Sequence, residues 1–383
     1  MTTNPAGTRR PRATTIPSDP AATRPALDSL TLSRKEGFRA AAEAQPRCQP
    51  QQLSRTQLAE LTDGDRRRYD RQRSIWHANL PTIETAQLLE LHDQLGDIVD
   101  SNQQDGEKAK GAIAIEGAAG IGKSIAVMDY AKRYHRDTIT ELGEYTGDGN
   151  ERWPVCRVGM TGDTGMKDFN RAMLGFFNHA GITRGTAVDF ANRALDCVLS
   201  CQTRLLIVDD LHFLKQRITS VQISNQFKYI SNEFPLTIIF IGIGLRQRGL
   251  YSDGTYADGI LGQSGRRITP ITFREFSVDD DEHRMEWRQL LLAIEKRIVL
   301  ANKQRGMLIA LSDYLWERST GRIGPLTTLI NRGCQRAVRT GTEFIDQELL
   351  ERIPLDAASE SRRTEIRTAI AQNRLTTRPA RRR

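Results

Sequence analysis

Hydrophobic and polar positions follow four successive patterns along this chain. Residues 1–50 are rich in Pro, Thr, Ala, Arg and Gln and show no apolar periodicity, so we expect a disordered basic tail there. From about Leu53 to Ile98, apolar residues recur at three- and four-residue spacings. This spacing predicts an N-terminal helical segment over residues 51–110, with Thr82 as the expected N-cap of its second helix.

Between residues 111 and 280, short apolar runs alternate with helical stretches. The runs are 111–116, 154–159, 205–208, 236–241 and 268–273, and the main helical stretches are 124–135, 167–180, 186–201 and 219–233. Strands that alternate with helices predict an α/β sandwich around a parallel five-stranded sheet.

After residue 280 only helical patterns remain. They cover residues 282–303, 306–318, 324–340 and 344–352. We therefore expect a separate all-helical unit over residues 281–356, followed by an Arg-rich tail over residues 357–383.

Composition and charge favour a globular protein with polar, basic tails. Of the 383 residues, 38% are hydrophobic and 27% are charged, and the net charge is +8. Residues 361–383 hold eight arginines and one glutamate; such a tail either lies along a polyanion such as nucleic acid or is a solubilising disordered end.

No apolar run approaches the roughly 20 residues that span a bilayer. The five cysteines form no Cys-x-x-Cys pair, so we expect a cytoplasmic protein with reduced thiols.

The strongest chemical signal is the segment Gly-Ala-Ala-Gly-Ile-Gly-Lys-Ser, which has the full Walker A spacing between an apolar run and a helical stretch. Its glycines let the backbone turn so that successive N–H groups point at phosphates. Lys123 is expected to reach the β- and γ-phosphates, and Ser124 to offer its hydroxyl to Mg²⁺. The segment thus predicts a site for ATP and Mg²⁺, and its expected nucleotide-binding residues are Gly117, Ala118, Ala119, Gly120, Ile121, Gly122, Lys123, Ser124 and Ile125.

A second nucleotide element is expected at the end of a neighbouring buried strand. The apolar run 205–208 ends in Asp209 and Asp210. Asp209 would hold the water shell of Mg²⁺, because Mg²⁺ prefers a few carboxylates plus waters. Asp210 would orient or deprotonate the attacking water, a role more often filled by glutamate at this place. Two acids after a strand also suit a simple helix N-cap.

Other groups of such a site are harder to place from the sequence. Arg266 and Arg267 are candidates for an arginine finger that reaches a neighbouring subunit's nucleotide, or are ordinary surface arginines. Arg322 is a candidate second sensor that contacts nucleotide. The fourth run ends at Gly242 without an Asn, Thr or Ser to sense the γ-phosphate. His212 is either a nucleotide sensor or, more simply, a packed loop histidine.

Several short segments carry a likeness to one known family. They are Tyr69–Trp76 with Pro81–Thr85, Glu116–Ser124, Ile207–Leu214 with Phe227–Leu236, and Ser319–Gly324 with the helix that follows it. Together they resemble the TniB/TnsC group of AAA+ ATPases, which are encoded beside DDE transposases. The likeness extends over about residues 65–350. The predicted helix with Asn232 and Glu233, and the Gly-x-x-Gly segment from Gly321 to Gly324, are more discriminating than the Walker elements.

The resemblance implies a P-loop AAA+ fold, which is a three-layer α/β sandwich followed by a helical lid. It also implies ATP-dependent self-association, as a ring or helical filament, on double-stranded DNA. A DDE transposase and a TniQ-like adaptor are the expected partners, and ATP hydrolysis would dismantle or reset the assembly. Asp210 and the missing polar sensor suit slow turnover, as in a switch keyed to the γ-phosphate.

DNA contacts in this family would be mainly to phosphates. Lys167 and Arg171, on the helix after the second strand, are the candidate cations, and Thr161 and Thr164 in the preceding loop are candidate hydroxyl donors. Each of these residues also fits a solvated helix or loop surface.

Three alternatives to a transposition regulator remain open at this point. The chain could be a helicase-loader-like AAA+ protein, or a nucleotide-gated protein-interaction switch with little hydrolysis. It could also be a small-molecule P-loop kinase, although the all-helical C-terminal unit has no evident acceptor-substrate motif.

Overall fold

Five parallel strands form the central sheet of the protein. The computed structural model describes residues 27–105, 108, 110–159, 165–210, 230, 233–247, 250 and 267–380. The strands are β1 (Ala112–Glu116), β2 (Val155–Gly159), β3 (Leu205–Asp209), β4 (Thr237–Gly242) and β5 (Ile268–Thr272), in the order β2-β3-β4-β1-β5. All four pairings are parallel. The predicted α/β fold is confirmed. Strands β3 and β4 are buried throughout and are apolar except for Asp209 and Thr237 at one end of each.

Helices of the described residues flank this sheet and extend beyond it. They are α1 (Lys35–Glu43), α2 (Arg55–Ala59), α3 (Asp63–Ala78), α4 (Ala86–Ser101), α5 (Lys123–Leu142), α6 (Met166–Phe176), α7 (Ala187–Ser200), α8 (Asp281–Arg297), α9 (Met307–Ala310), α10 (Ser312–Ser319), α11 (Ile323–Thr340), α12 (Gln347–Glu351) and α13 (Ala357–Ala371). Most of the helix predicted over 219–233 lies outside the described residues. Within the described part of the chain, no helix combines the length and apolar character needed to cross a membrane.

Parallel pairing brings the carboxyl ends of the strands to one edge of the sheet. At that edge, Glu116 of β1 lies opposite Gly242 of β4, and Gly159 of β2 lies opposite Asp209 of β3. β1 leads into the segment 117–124, and β3 ends at Asp209, which Asp210 follows. The sheet therefore brings both predicted nucleotide elements together.

The C-terminal helices build a second core, as predicted for the helical lid. Trp287 of α8 and Trp316 of α10 lie at its centre, with ring centroids 5.0 Å apart in an edge-to-face arrangement. Leu326 and Leu329 of α11 are fully buried in the same cluster. These side chains give the lid an apolar core of its own.

The expectation of disorder over residues 1–50 is wrong for α1. This helix places Phe38 and Ala42 on one face, and both are completely buried. The ring of Phe38 packs edge-to-face against Phe176 of α6 at 6.2 Å. The apolar residues of α1 are too few to produce a clear periodicity in the sequence, but a tertiary contact with the α/β core is enough to order the helix.

The Arg-rich tail predicted over residues 357–383 is also largely a packed element. Helix α13 buries Ile366 in the lid core, and Arg363 donates to Glu317 at 2.7 Å. Beyond the helix, the backbone N–H of Thr377 donates to Asp313 at 2.9 Å. Part of the basic charge therefore pairs with lid carboxylates.

The helical segment predicted over 51–110 divides between the two cores. Helices α2 and α3 pack on the lid, where Trp76 and Val299 share a small apolar cluster. Helix α4 packs against α5 of the α/β unit. Its N-cap is Thr85, whose side chain accepts from the N–H of Leu88, so the expected cap at Thr82 is wrong and the connection from α3 runs three residues further.

Candidate nucleotide-binding and magnesium site

The loop between β1 and α5 has the backbone shape that phosphate binding requires. Gly120 and Gly122 have φ angles of +76° and +95°, a left-handed conformation that glycine adopts without steric cost. Gly122 is also the N-cap residue of α5. The loop therefore ends at a helix N-terminus, where unpaired N–H groups and the helix dipole favour an anion.

Lys123 lies inside this loop. Its side-chain nitrogen donates to the carbonyl oxygens of Gly117 and Ala118, at 2.8 and 2.6 Å. Burial lowers the pKa of Lys123 below its usual range, and the carboxylates of Asp209 and Asp210 offset part of that effect. The lysine therefore lies against the backbone of the loop, where the sequence predicts contacts with phosphates.

The two predicted magnesium residues are in contact. The hydroxyl of Ser124 donates to Oδ1 of Asp209 at 2.9 Å, although 85 residues separate them in the chain. Asp209 is buried, and its second oxygen, Oδ2, accepts from Arg157 of β2 at 2.8 Å. Sequence reasoning missed Arg157; a lone arginine within an otherwise apolar strand was the available signal.

Asp210 follows directly after β3 in a left-handed conformation, with φ of +62°. Aspartate is one of the few residues besides glycine that tolerate this conformation. Its backbone N–H donates to Oδ1 of Asp209 at 3.0 Å. Asp210 lines the same cavity as Lys123 and Ser124, so the structure brings both predicted acids to the phosphate loop.

A cavity of about 630 Å³ opens beside these groups. One wall is the loop from Ala119 to Ala126 with the two aspartates, and a second is the tip of β4 at Ile241–Ile243. The connection between α3 and α4 contributes Leu80, Pro81 and Ile83. Such a size, with apolar walls and a few convergent polar groups, suits a nucleotide.

The lid closes the cavity from the other side. The first turn of α11 supplies Ile323 and Gly324, and the next turns supply Thr327, Thr328 and Asn331. The N–H of Gly324 donates to the carbonyl oxygen of Gly120 at 2.8 Å. The lid residues of this wall, like the α3–α4 connection, were not among the predicted site residues.

Arg322, the predicted second sensor, is the N-cap residue of α11 but is not among the residues that line this cavity. Its Nε lies 3.5 Å from a carboxylate oxygen of Glu275. In the described conformation this arginine therefore pairs with the segment that leads to the lid.

The end of β4 has no polar side chain that could sense a γ-phosphate, as the sequence indicated. Gly242 and Ile243 line the cavity there, and neither carries a polar side-chain atom. Any γ-phosphate contact from this strand would have to use its backbone.

The donor set fits a magnesium ion that is shared with a nucleotide. Ser124 and Asp209 offer hard oxygen atoms, the ligand type that Mg²⁺ prefers. Within the described part of the chain, no group of three or more His, Cys, Asp and Glu residues is placed to hold a metal ion. At phosphate sites, phosphate oxygens and water usually supply the remaining ligands of Mg²⁺.

The remaining predicted residues lie further away or outside the described residues. Arg267 is exposed and precedes the amino end of β5, with its carbonyl oxygen accepting from Ala112 at 2.8 Å. This is the edge of the sheet opposite the phosphate loop, so Arg267 does not line the cavity of its own chain. Arg266, Thr161, Thr164 and His212 lie outside the described residues.

The candidate DNA-contacting cations lie on α6. Lys167 and Arg171 are exposed, four residues apart, and both approach the ring of Phe190, at 5.7 and 5.8 Å from its centroid. Arg193 of α7 approaches the same ring at 5.8 Å. The structure thus gathers three cations around one buried aromatic ring.

Comparison with known families supports the likeness noted in the sequence. Residues 75–257, a little under half of the chain, match the model of the family described as bacterial TniB protein. The match includes the phosphate loop, Arg157, Asp209 and Asp210. This part of the chain is therefore similar to the TniB family. No curated protein sequence matches the chain.

A solved structure shares the fold of this chain, and two others are similar to it. The ORC2 protein of Aeropyrum pernix, solved as ADPNP–ADP complexes, aligns with a TM-score of 0.51 and 13% identity, over 68% of this chain and 66% of that one. This chain thus spans slightly less than two thirds of the length of that protein. The ORC1 protein of Aeropyrum pernix in complex with DNA aligns with a TM-score of 0.47 and 13% identity, over 77% of this chain and 70% of that one. Cdc6p from Pyrobaculum aerophilum aligns with a TM-score of 0.46 and 13% identity, over 73% and 74%.

Proposed function

We propose that this TniB-like chain is a magnesium-dependent ATPase that works at the cavity beside the phosphate loop. The observation that carries the proposal is the hydrogen bond of 2.9 Å between Ser124 and Asp209, which sets a hydroxyl and a carboxylate together where the phosphates would lie. Lys123 neutralises the β- and γ-phosphates, and Asp209 holds the water shell of Mg²⁺. Asp210 orients the attacking water, and Leu80 and Ile83 cover the base.

The TniB likeness extends the proposal to transposition. In its ATP-bound form the chain self-associates into a ring or filament on double-stranded DNA. There it recruits or activates a DDE transposase, with a TniQ-like adaptor as a further partner, and hydrolysis dismantles the assembly. The match of residues 75–257 to the TniB family supports this function.

Lys167 and Arg171 supply phosphate contacts in this proposal. Their exposure on one face of α6, beside Arg193, supports the role, because neutralised phosphates release counterions and favour binding. In the assembled form, Arg267 reaches the nucleotide of the neighbouring subunit, since its own phosphate loop lies at the other edge of the sheet.

Duplex binding followed by fluorescence anisotropy tests the proposal. The titrations are run without nucleotide, with ADP, and with a non-hydrolysable ATP analogue plus Mg²⁺. We expect cooperative binding only with the analogue, and loss of that binding in Lys123→Ala. Binding of equal strength with and without nucleotide would mean that only the charge of the basic segments attracts DNA. No binding in any nucleotide state would show that the chain does not act on DNA.

One observation favours a second candidate, a nucleotide-gated protein-interaction switch with little hydrolysis. The tip of β4 presents Gly242 and Ile243 to the cavity, without a side chain to sense the γ-phosphate. Phosphate release that rises when duplex DNA is added would exclude this candidate.

A further inference from the structure

Arg157 is a cation built into the candidate magnesium site. Its NH2 group donates to Oδ2 of Asp209 at 2.8 Å, while Oδ1 of the same carboxylate accepts from Ser124 at 2.9 Å. The side chains of Arg157 and Asp209 are only 18% and 5% exposed. Water and salt therefore screen this pair much less than a surface pair.

We propose that Arg157 sets the magnesium requirement of the site by holding a fixed positive charge on Asp209, and that the N-terminal segment keeps the arginine there. The inference rests on the proposed ATPase function and adds a means of regulating it. Arg157 acts as a positioning residue, because it contacts the carboxylate rather than the nucleotide.

The direction of the effect follows from charge. A guanidinium on one oxygen of Asp209 uses part of the negative charge that would attract Mg²⁺, and it also repels the ion directly. Arg157 thus raises the Mg²⁺ concentration at which nucleotide binds. If Arg157 instead only oriented Asp209 for the metal, its removal would raise that concentration further, so the two roles predict shifts of opposite sign.

The N-terminal segment holds Arg157 from the other side. The NH1 group of Arg157 donates to the hydroxyl of Ser33 at 2.9 Å. Next to Ser33, the guanidinium of Arg34 donates to the carbonyl oxygen of Gly175 in α6, and Lys35 pairs with Glu151 at 2.6 Å. Residues 33–35 are thus fastened to the α/β unit, and displacing them would release one of the two contacts that fix Arg157.

The test measures nucleotide binding rather than turnover. The full chain is titrated with MgCl₂ at a fixed concentration of a fluorescent ATP analogue, and the half-saturating Mg²⁺ concentration is recorded. Arg157→Gln keeps side-chain N–H donors but removes the charge, and Arg157→Lys keeps the charge. We expect the half-saturating concentration to fall about three- to tenfold in Arg157→Gln and to stay within about twofold in Arg157→Lys.

Ser33→Ala keeps both charges and weakens only the tether. We expect a smaller shift in the same direction, and this variant keeps the test decisive if Arg157→Gln does not fold. Arg204→Gln is the matched control, because Arg204 is exposed and precedes β3 at its opposite end, so no shift is expected. Melting curves in metal-free buffer show whether each variant is folded.

The outcomes separate the inference from the function it rests on. If the unmodified chain binds no nucleotide at any Mg²⁺ concentration, the ATPase proposal fails. If it binds nucleotide with no dependence on Mg²⁺, only the role of Arg157 is overturned. If it depends on Mg²⁺ but folded Arg157→Gln shows an unchanged or raised requirement, only the role of Arg157 is overturned. An equal fall of the half-saturating Mg²⁺ concentration in Arg157→Lys also overturns that role, because the charge would then not be the cause. An unchanged half-saturating concentration in Ser33→Ala would show that the N-terminal segment does not hold Arg157 in place.

Discussion

The backbone N–H of Gly324 donates a hydrogen bond of 2.8 Å to the carbonyl oxygen of Gly120. This bond joins the first turn of the lid helix α11 to the middle of the phosphate loop. A Cβ atom at Gly324 would lie 2.7 Å from the same oxygen, which is well inside van der Waals contact. The close approach of Gly324 to Gly120 therefore requires that residue 324 has no side chain.

Gly324→Ala is expected to separate lid and loop and to weaken nucleotide binding about tenfold or more, a change of about 1.4 kcal/mol. Isothermal titration with ATP and Mg²⁺ measures the change. Gly96→Ala is the matched control, because Gly96 also lies within a helix and a Cβ there meets nothing within 4 Å. That control should bind nucleotide normally and gain about 0.5–1 kcal/mol of stability; equal affinity in the two variants would contradict the close contact.

Lys123→Ala should abolish tight ATP binding. Hydrogen bonds from charged donors contribute about 1.5–3 kcal/mol each, so we expect the dissociation constant to rise at least about tenfold. Lys132→Ala serves as control, since Lys132 lies on the same helix and only approaches Asp129 at 3.9 Å. Retained ATP affinity in the Lys123 variant would remove this lysine from the nucleotide site.

Asp210→Asn should preserve ATP binding and slow phosphate release about a hundredfold or more, because a lost general base costs that much. Asparagine tolerates the left-handed conformation of residue 210, which has φ of +62°, so the backbone should not change. Binding and single-turnover phosphate release are measured on the same preparation. An unchanged release rate means that another group activates the water.

Glu343→Gln should destabilise the lid and the helices packed on it. Glu343 is 2% exposed and accepts from Arg73 of α3 at 2.6 and 2.9 Å. Breaking a buried pair costs about 3–5 kcal/mol when the remaining charge loses its partner. Arg73 also pairs with Asp70, so we expect a loss below that range. Glu348→Gln removes half of an exposed pair with Arg352 and should leave urea denaturation unchanged; similar losses in both variants would mean that burial does not strengthen the Arg73 pair.

The stability of the fold should fall as the pH drops from about 6.5 to about 4. Burial, assisted by the positive charge of Arg73, lowers the pKa of His77 to about 4, and burial lowers the pKa of His135 to about 4 as well. Between the unfolded and folded pKa values the unfolded chain binds more protons, so each pH unit costs up to about 1.4 kcal/mol per histidine. Above about pH 6.5 the contribution is complete.

His77 offers a direct check of this pH dependence. Its Nε2 accepts the backbone N–H of Val299 at 3.0 Å, which requires the unprotonated nitrogen. Thermal melts of His77→Gln from pH 7 to pH 4 should show a shallower fall than those of the unmodified chain, with the remainder from His135. Parallel curves would assign the acid sensitivity to other groups.

The local sequence pattern predicted the strands, the phosphate loop and the helical lid. The five strands were predictable to within one residue at each end, because buried parallel strands are continuous apolar runs. The phosphate loop was predictable from the spacing of Gly117, Gly122, Lys123 and Ser124, since that spacing is set by the backbone turn itself. The lid followed from helical periodicity after residue 280.

Contacts between distant residues were decided only by the tertiary structure. Arg157 meets Asp209, and Gly324 meets Gly120, because the sheet and the lid bring together segments that no local pattern relates. The order in α1 and α13 has the same origin: Phe38 and Ile366 are isolated apolar residues in polar sequence, and each is ordered by a core formed elsewhere in the chain. A sequence pattern reports how a segment folds on itself, whereas the partner that buries it is known only once the whole chain has folded.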